Sequence, residues 1–149
     1  FKAWGPKLNS TRYWCAAVLH GRSVVVFGGS GSNAEELNTT EVLDLDTMTF
    51  SRGPTMRTAR YGCAAVILGG DSRQRCLVIG GYDDNMDDDH REALKTTEML
   101  DLETMEFTNG PAMLTRRFAC AAVADDAGDR VLVLGGCKSA EVEVLEAAA

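Results

Sequence analysis

Short apolar runs alternate with glycine-rich and polar segments along the whole chain, and similar runs return three times. Three continuous apolar runs each end at a Gly-Gly pair: VVVF from Val24, CLVI from Cys76 and VLVL from Val131. Apolar runs of this length bounded by glycine predict strands that are buried on both faces. No run approaches the ~20 residues that span a bilayer. The pattern therefore predicts an all-β chain.

The segment around each run is an internal repeat of roughly 50 residues. RYWCAAV from Arg12, RYGCAAV from Arg60 and RFACAAV from Arg117 precede the three runs, and TEVLDLD from Thr40 and TEMLDLE from Thr97 follow two of them. Each unit predicts four antiparallel strands. These are a strand of small residues, the apolar strand, a strand of alternating polarity, and a short fourth strand that ends at Gly-Pro.

With these glycine pairs, openings of the RYGCAAV type and the fourth-strand aromatics Phe50 and Phe107, the chain resembles a kelch-repeat β-propeller. The resemblance implies a propeller segment of three four-stranded antiparallel blades, either half a propeller or part of a larger ring. Residues 12–56, 60–113 and 117–146 are the three repeats, the last one truncated, and residues 1–8 are assigned to an outer strand that closes a shared blade.

Three blades are fewer than the roughly 4–8 that close a propeller ring. We therefore expect the terminal blades to leave apolar faces uncovered. A second copy of the chain or the remaining blades of a longer chain would cover them.

The glycine pairs are expected to serve the backbone and not a ligand. Gly29 to Ala34 fits the G-x-G-x-x-A spelling of a dinucleotide-binding turn, but barely one helical turn could follow it, and the other two pairs lack the spelling. Glycine permits positive φ and a close approach of neighbouring backbones. We assign this structural role to Gly28, Gly29, Gly80, Gly81, Gly135 and Gly136.

Few residues are arranged for metal or catalytic chemistry. The acidic run Asp83–Glu92 lacks the glycine and glutamate of an EF-hand loop, so it is interpreted as a solvated loop, with a weak cation site as the alternative. The two histidines, His20 and His90, belong to no zinc pattern, and no nucleophile elbow occurs. We expect no metal and no cofactor.

Charge and cysteine use restrict the partners and the compartment. The chain has 15 Lys and Arg against 22 Asp and Glu, a net charge of −7, which argues against binding to nucleic acid or to an anionic membrane surface. Three of the five cysteines, Cys15, Cys63 and Cys120, recur at one repeat position, which indicates buried thiols in a reducing, cytoplasmic compartment. Two N-x-S/T sequons point weakly the other way.

The recurring arginines mark the expected recognition face. Arg12, Arg60 and Arg117 each precede a first strand, at the edge that also carries the long loops 30–39 and 82–96. In kelch modules this face commonly binds peptide segments, where arginine can hold carboxylates. The alternative is that each arginine pairs with acidic residues of a neighbouring loop and fastens the blades. The rim candidates are Arg12, Tyr13, Trp14, Arg60, Tyr61, Tyr82, Arg117 and Lys138.

These observations favour a non-catalytic protein–protein interaction module whose loop rim recognises a peptide or protein partner. Two alternatives stay open. The first is a sugar-binding or sugar-isomerising enzyme segment, as some kelch-like propellers are. The second is a structural unit that dimerises into a six-bladed ring.

Overall fold

The computed structural model describes residues 5–69, 74–83, 93–137 and 139–146. Strands and connecting loops make up these residues, and no helix among them is long and apolar enough to cross a membrane. The strands are β1 (Ala16–His20), β2 (Ser23–Phe27), β3 (Thr40–Asp44), β4 (Thr49–Arg52), β5 (Ala64–Leu68), β6 (Arg75–Ile79), β7 (Thr97–Asp101), β8 (Glu106–Asn109), β9 (Ala121–Ala124), β10 (Arg130–Leu134) and β11 (Val142–Glu146). The all-β prediction is confirmed.

The strands form three antiparallel sheets, each of which is one blade. The first blade has the order β1-β2-β3-β4 and the second β5-β6-β7-β8, so every strand pairs with its neighbour in sequence. The third blade contains β9, β10 and β11, and no fourth strand pairs with β11 among the described residues. Residues 5–8 lie in no strand, and residues 1–4, assigned with them to an outer strand, lie outside the described residues.

The apolar faces of neighbouring blades pack together and form two cores. The core between the first and second blades includes Val18, Val25, Phe27, Met56, Cys76, Val78 and Leu100. The core between the second and third blades includes Val66, Leu77, Ile79, Met99, Val131, Val133 and Leu145. Each fully buried aliphatic or aromatic side chain stabilises the fold by about 1.5–3 kcal/mol. Blade-to-blade packing is therefore the main source of stability.

The first two glycine pairs lie where one blade meets the backbone that leads into the next. Gly28 and Gly29 have φ of 55° and 98°. The amide of Gly29 donates to the carbonyl of Arg60 at 2.9 Å, and a Cβ on Gly28 would overlap that same carbonyl oxygen. The junction between the second and third blades repeats this geometry with Gly80, Gly81 and Arg117. The pairs thus occupy positions that only glycine fills without strain.

Candidate functional site

The recurring arginines are buried inside the blades and are not presented at the rim. Arg12, Arg60 and Arg117 are 8%, 0% and 1% exposed. The Arg60 guanidinium donates to the carbonyl of Gly80 at 2.7 Å and to the carboxylate of Glu98 at 2.8 Å. The expectation that these arginines bind a partner's carboxylates is corrected by this geometry, because each guanidinium group is already engaged by acceptors of its own blade.

The acidic partners of these arginines are Glu41, Glu98 and Glu143, and none of them was among the predicted site residues. All three are buried, and each is the second residue of the third strand of its blade, the strand of alternating polarity. Arg12 meets Glu41 at 2.8 Å, and Arg117 lies 3.6 Å from Glu143. The sequence does contain an indication of this pairing. Each repeat has one such glutamate at the same position of its third strand and one such arginine before its first strand.

Each glutamate also caps the connection that enters its blade. The amides of Arg57 and Thr58 donate to the carboxylate of Glu98 at 2.7 and 3.0 Å. The carbonyl of Arg60, in the same connection, accepts from Gly29 of the first blade. One connection therefore binds two blades. Its Arg60 carbonyl contacts the preceding blade, and its Arg60 side chain and the amides of Arg57 and Thr58 contact the following blade. The arginines thus fasten the blades, as the alternative expected, but their acidic partners lie on a strand of the same blade and not in a neighbouring loop.

The pH dependence of stability should carry the signature of Glu41. Burial raises the pKa of Glu41, but hydrogen bonds from the Asn9 amide, Arg12 and the Ser10 amide outweigh it and hold the pKa below the ordinary glutamate value of 4.5. A carboxyl group whose folded pKa is depressed contributes stability above its unfolded pKa and loses it as the pH falls through the folded pKa. We expect the free energy of unfolding to decline below about pH 4.5.

Urea unfolding at several pH values tests this expectation. The pKa values of Asp44 and Asp125 are also lowered, by hydrogen bonds in exposed turns, so the wild-type decline has several sources. The Glu41→Gln variant isolates the buried carboxylate, because its stability should fall less steeply between pH 5 and pH 3. Parallel curves for the variant and the wild type would contradict the assignment.

An aromatic ribbon crosses the three blades at the predicted recognition face. It consists of Tyr13, Trp14, Tyr61, Tyr82 and Phe118. Neighbouring ring centroids along it are 5.6, 5.4, 5.6 and 5.3 Å apart, and the rings of Trp14 and Tyr61 are stacked at an interplanar angle of 23°. Four of the rim candidates thus lie together, and Phe118 joins them. Trp14 and Tyr13 are 64% and 46% exposed.

The ribbon is held by backbone contacts that join the blades. The amide of Gly62 donates to the carbonyl of Trp14 at 2.8 Å, and the amide of Ala119 donates to the carbonyl of Gly62 at 2.7 Å. These three residues occupy equivalent repeat positions, and all have positive φ, 54° at Trp14. A bulky residue rarely adopts this conformation, and such strained positions cluster at binding sites.

A cavity of about 250 Å³ opens beside the ribbon, next to the first strands of the three blades. Its walls are Trp14, Cys15, Gly62, Cys63, Phe118 and Ala119. None of these described residues carries a carboxylate or a guanidinium group. A cavity of this size and composition suits one apolar side chain.

The cysteines differ in exposure more than the repeat predicted. Cys63 is buried and Cys120 half-buried, but Cys15 is exposed, because it lies on the terminal blade at the cavity. Burial raises the pKa of Cys63 to about 11 and that of Cys76 to about 12. These two thiols stay protonated at neutral pH and act as apolar packing. All five thiols are free, and the reducing compartment stays a prediction.

Several predicted features fall wholly or partly outside the described residues. Lys138, the eighth rim candidate, lies outside them, as does His90. Of the acidic run Asp83–Glu92, the structure describes Asp83, which is buried. In the part of the chain that the structure describes, no group of three or more His, Cys, Asp or Glu side chains is placed to hold a metal ion.

Comparison with known proteins places the first blade in a named family. Residues 11–57 match the family model of the Kelch motif. The chain is also similar to acyl-CoA-binding domain-containing protein 5 of Arabidopsis thaliana, with 31% identity over 96 residues. That match covers 62% of this chain and 13% of the plant protein, so the chain spans a small part of the curated relative it matches.

Proposed function

The chain is a kelch-repeat segment of a β-propeller, a type of module that generally mediates protein interactions, and on that premise we propose that the aromatic ribbon binds a peptide segment of a protein partner. The observation that carries the proposal is the continuous series of ring contacts among five aromatic residues across three blades, with Trp14 64% exposed at a strained backbone position. Such exposure of a large aromatic side chain has a solvation cost that binding to a partner would remove.

The chemistry of the ribbon favours an extended segment with an apolar or aromatic anchor. Tryptophan and tyrosine dominate binding energies at protein interfaces, because they bury a large area with few rotatable bonds. The cavity beside Trp14 would take the anchor side chain. The hydroxyl of Tyr13, which accepts from the buried hydroxyl of Ser30 at 2.9 Å, offers a polar group to the backbone of the bound segment.

The ribbon is also prepared in advance for binding. Tyr13 bridges to Ser30, and Tyr82 bridges both to Tyr61 and to Ala93, so short backbone bridges fix three of the five aromatic residues. A surface that is already ordered loses little conformational entropy when a partner binds.

Replacing Trp14 with alanine should weaken peptide binding by about 30-fold, which corresponds to a hot-spot loss of about 2 kcal/mol. The probes are peptides selected from a random phage-displayed library on the wild-type chain. Their Kd values are then measured by isothermal titration calorimetry with both proteins.

Met48→Ala is the matched control for this substitution. Met48 is 47% exposed and lies in the turn between β3 and β4, at the opposite edge of the first blade. We expect the control to bind the selected peptides with wild-type affinity. Peptides that bind the Trp14→Ala protein as tightly as the wild type would show that the recognition surface lies elsewhere.

A further inference from the structure

The two ends of the blade stack leave apolar sheet faces uncovered. The trailing face belongs to the third blade and consists of Ala121, Val123, Leu132, Leu134, Val142 and Val144. Its valines at 123, 142 and 144 are 53–55% exposed. The strand register places these residues side by side, with Leu132 opposite both Val123 and Val144. The leading face belongs to the first blade and consists of Ala17, Leu19, Val24 and Leu43, with Leu19 62% exposed.

These two faces are the two halves of an interface that the molecule already forms twice. By the repeat alignment, Val123 and Leu132 correspond to Val66 and Leu77 of the second blade, which pack against the third blade. Leu19 corresponds to Ile67, which packs against the first blade. The trailing face therefore has apolar residues at the positions that contact a following blade, and the leading face has them at the positions that contact a preceding blade.

The connection at the start of the chain is already in place for such a junction. Within the molecule, the segment after β4 sends the amides of Arg57 and Thr58 to the carboxylate of Glu98 in the following blade. The amides of Asn9 and Ser10 make the same contacts with Glu41 at 2.7 and 2.9 Å. Residues 5–8 thus correspond to residues 53–56, the segment that directly follows the outer strand β4 and leads into the next blade.

The outer edge of the third blade lacks, among the described residues, the fourth strand that the other two blades have. Where β3 pairs with β4 and β7 with β8, β11 has no outer neighbour among the described residues. The surroundings of Gly135 also show that no blade follows the third one among the described residues. A Cβ on Gly28 or Gly80 would overlap the carbonyl oxygen of the next blade's arginine. Among the described residues, a Cβ on Gly135 would come within 4 Å of the Ser139 carbonyl oxygen alone, at 3.6 Å.

We propose that a second copy of this chain occupies both faces. The trailing face of each copy packs on the leading face of the other, and the segment at Gly5 of each copy runs along β11 of the other. A head-to-tail interface yields a closed ring when its rotation closes, and two copies would bring six blades, within the roughly 4–8 that propellers use. The aromatic ribbon would then occur twice around the axis, related by a two-fold rotation.

Sedimentation velocity and light scattering on the 149-residue chain test this proposal. We expect one species of twice the 16.0 kDa monomer mass, dissociating on dilution. A monomer at all concentrations would overturn the proposal, since further propeller blades, and not a second copy, would then be needed to cover the faces. A ladder of growing oligomers would overturn it as well, because the head-to-tail contact would not close with two copies.

Two variants decide whether the contact is head-to-tail. Val123→Asp charges the trailing face and Leu19→Asp charges the leading face, and either one should shift the protein to the monomer mass. Both residues are exposed in the single chain, so circular dichroism should report unchanged β structure. Met48→Asp, an exposed apolar residue away from both faces, should leave the dimer intact. A Leu19→Asp protein that still dimerises would indicate a contact between two trailing faces and would overturn the ring.

Discussion

Replacing Glu98 with glutamine should lower the free energy of unfolding by about 3–5 kcal/mol, the loss typical of removing one member of a buried ion pair. Arg60 is 0% exposed and its guanidinium depends on the carboxylate of Glu98 at 2.8 Å. The variant leaves a buried positive charge without its counter-charge. It also weakens two hydrogen bonds from the amides of Arg57 and Thr58, which now meet a neutral group.

Urea denaturation followed by tryptophan fluorescence measures the effect, and Glu106→Gln is its matched control. Glu106 is an exposed glutamate on β8, the strand beside the one that carries Glu98. Surface substitutions usually change stability by less than about 0.5 kcal/mol, and we expect that of the control. Equal and small losses for the two variants would mean that the pair does not fasten the blades.

Replacing Gly28 with alanine should cost about 2–5 kcal/mol of unfolding free energy. About 1–2 kcal/mol of this comes from forcing a residue with a Cβ to adopt a φ of 55°. The remainder comes from overlap of that Cβ with the carbonyl oxygen of Arg60, which is backbone and cannot move without parting the two blades.

Gly21→Ala separates these two contributions. Gly21 has nearly the same φ, 56°, but a Cβ built there meets nothing within 4 Å. The control should lose only the conformational part, so the two glycine variants should differ by at least about 1 kcal/mol in equilibrium unfolding. If they lose the same stability, the glycine pair is needed for its dihedral angle alone and not for the approach of the next blade.

The repeat carried most of the fold in its sequence. Apolar runs that end at glycine predicted β2, β6 and β10, and the alternating third strands predicted β3 and β7. The alternation did not predict that Glu41 and Glu98 face inward. The alternation of side chains along a strand assigns each residue to one of the two sheet faces. It does not indicate which acidic residue is buried because it forms an ion pair with a buried arginine.

The sequence predicted most residues of the aromatic ribbon but not how their rings are arranged. Tyr13, Trp14 and Tyr61 stood out as aromatics that follow the arginines, and the sequence placed them at the rim. Their stacking depends on the angle between blades, because Trp14 and Tyr61 belong to different sheets. Long-range geometry of this kind comes from packing and leaves no periodic trace. The arginines were wrongly predicted to face a partner for a related reason. The carbonyl and carboxylate groups that accept their hydrogen bonds lie 16–38 residues away in the sequence, and the sequence around the arginines does not reveal them.

The junctions between blades are alike although the loops beside them differ. Gly29 reaches Arg60 and Gly81 reaches Arg117 at the same 2.9 Å, while the loops that follow those glycines differ in length and charge. The ends of these loops belong to the junctions, because the carbonyls of Leu37 and Leu94 accept from the amides of Arg60 and Arg117 at 3.2 and 3.1 Å. A loop exchange that keeps residues 37–39 and 94–96 would therefore preserve how the blades join, and a new binding specificity can be sought in the loop residues that precede them.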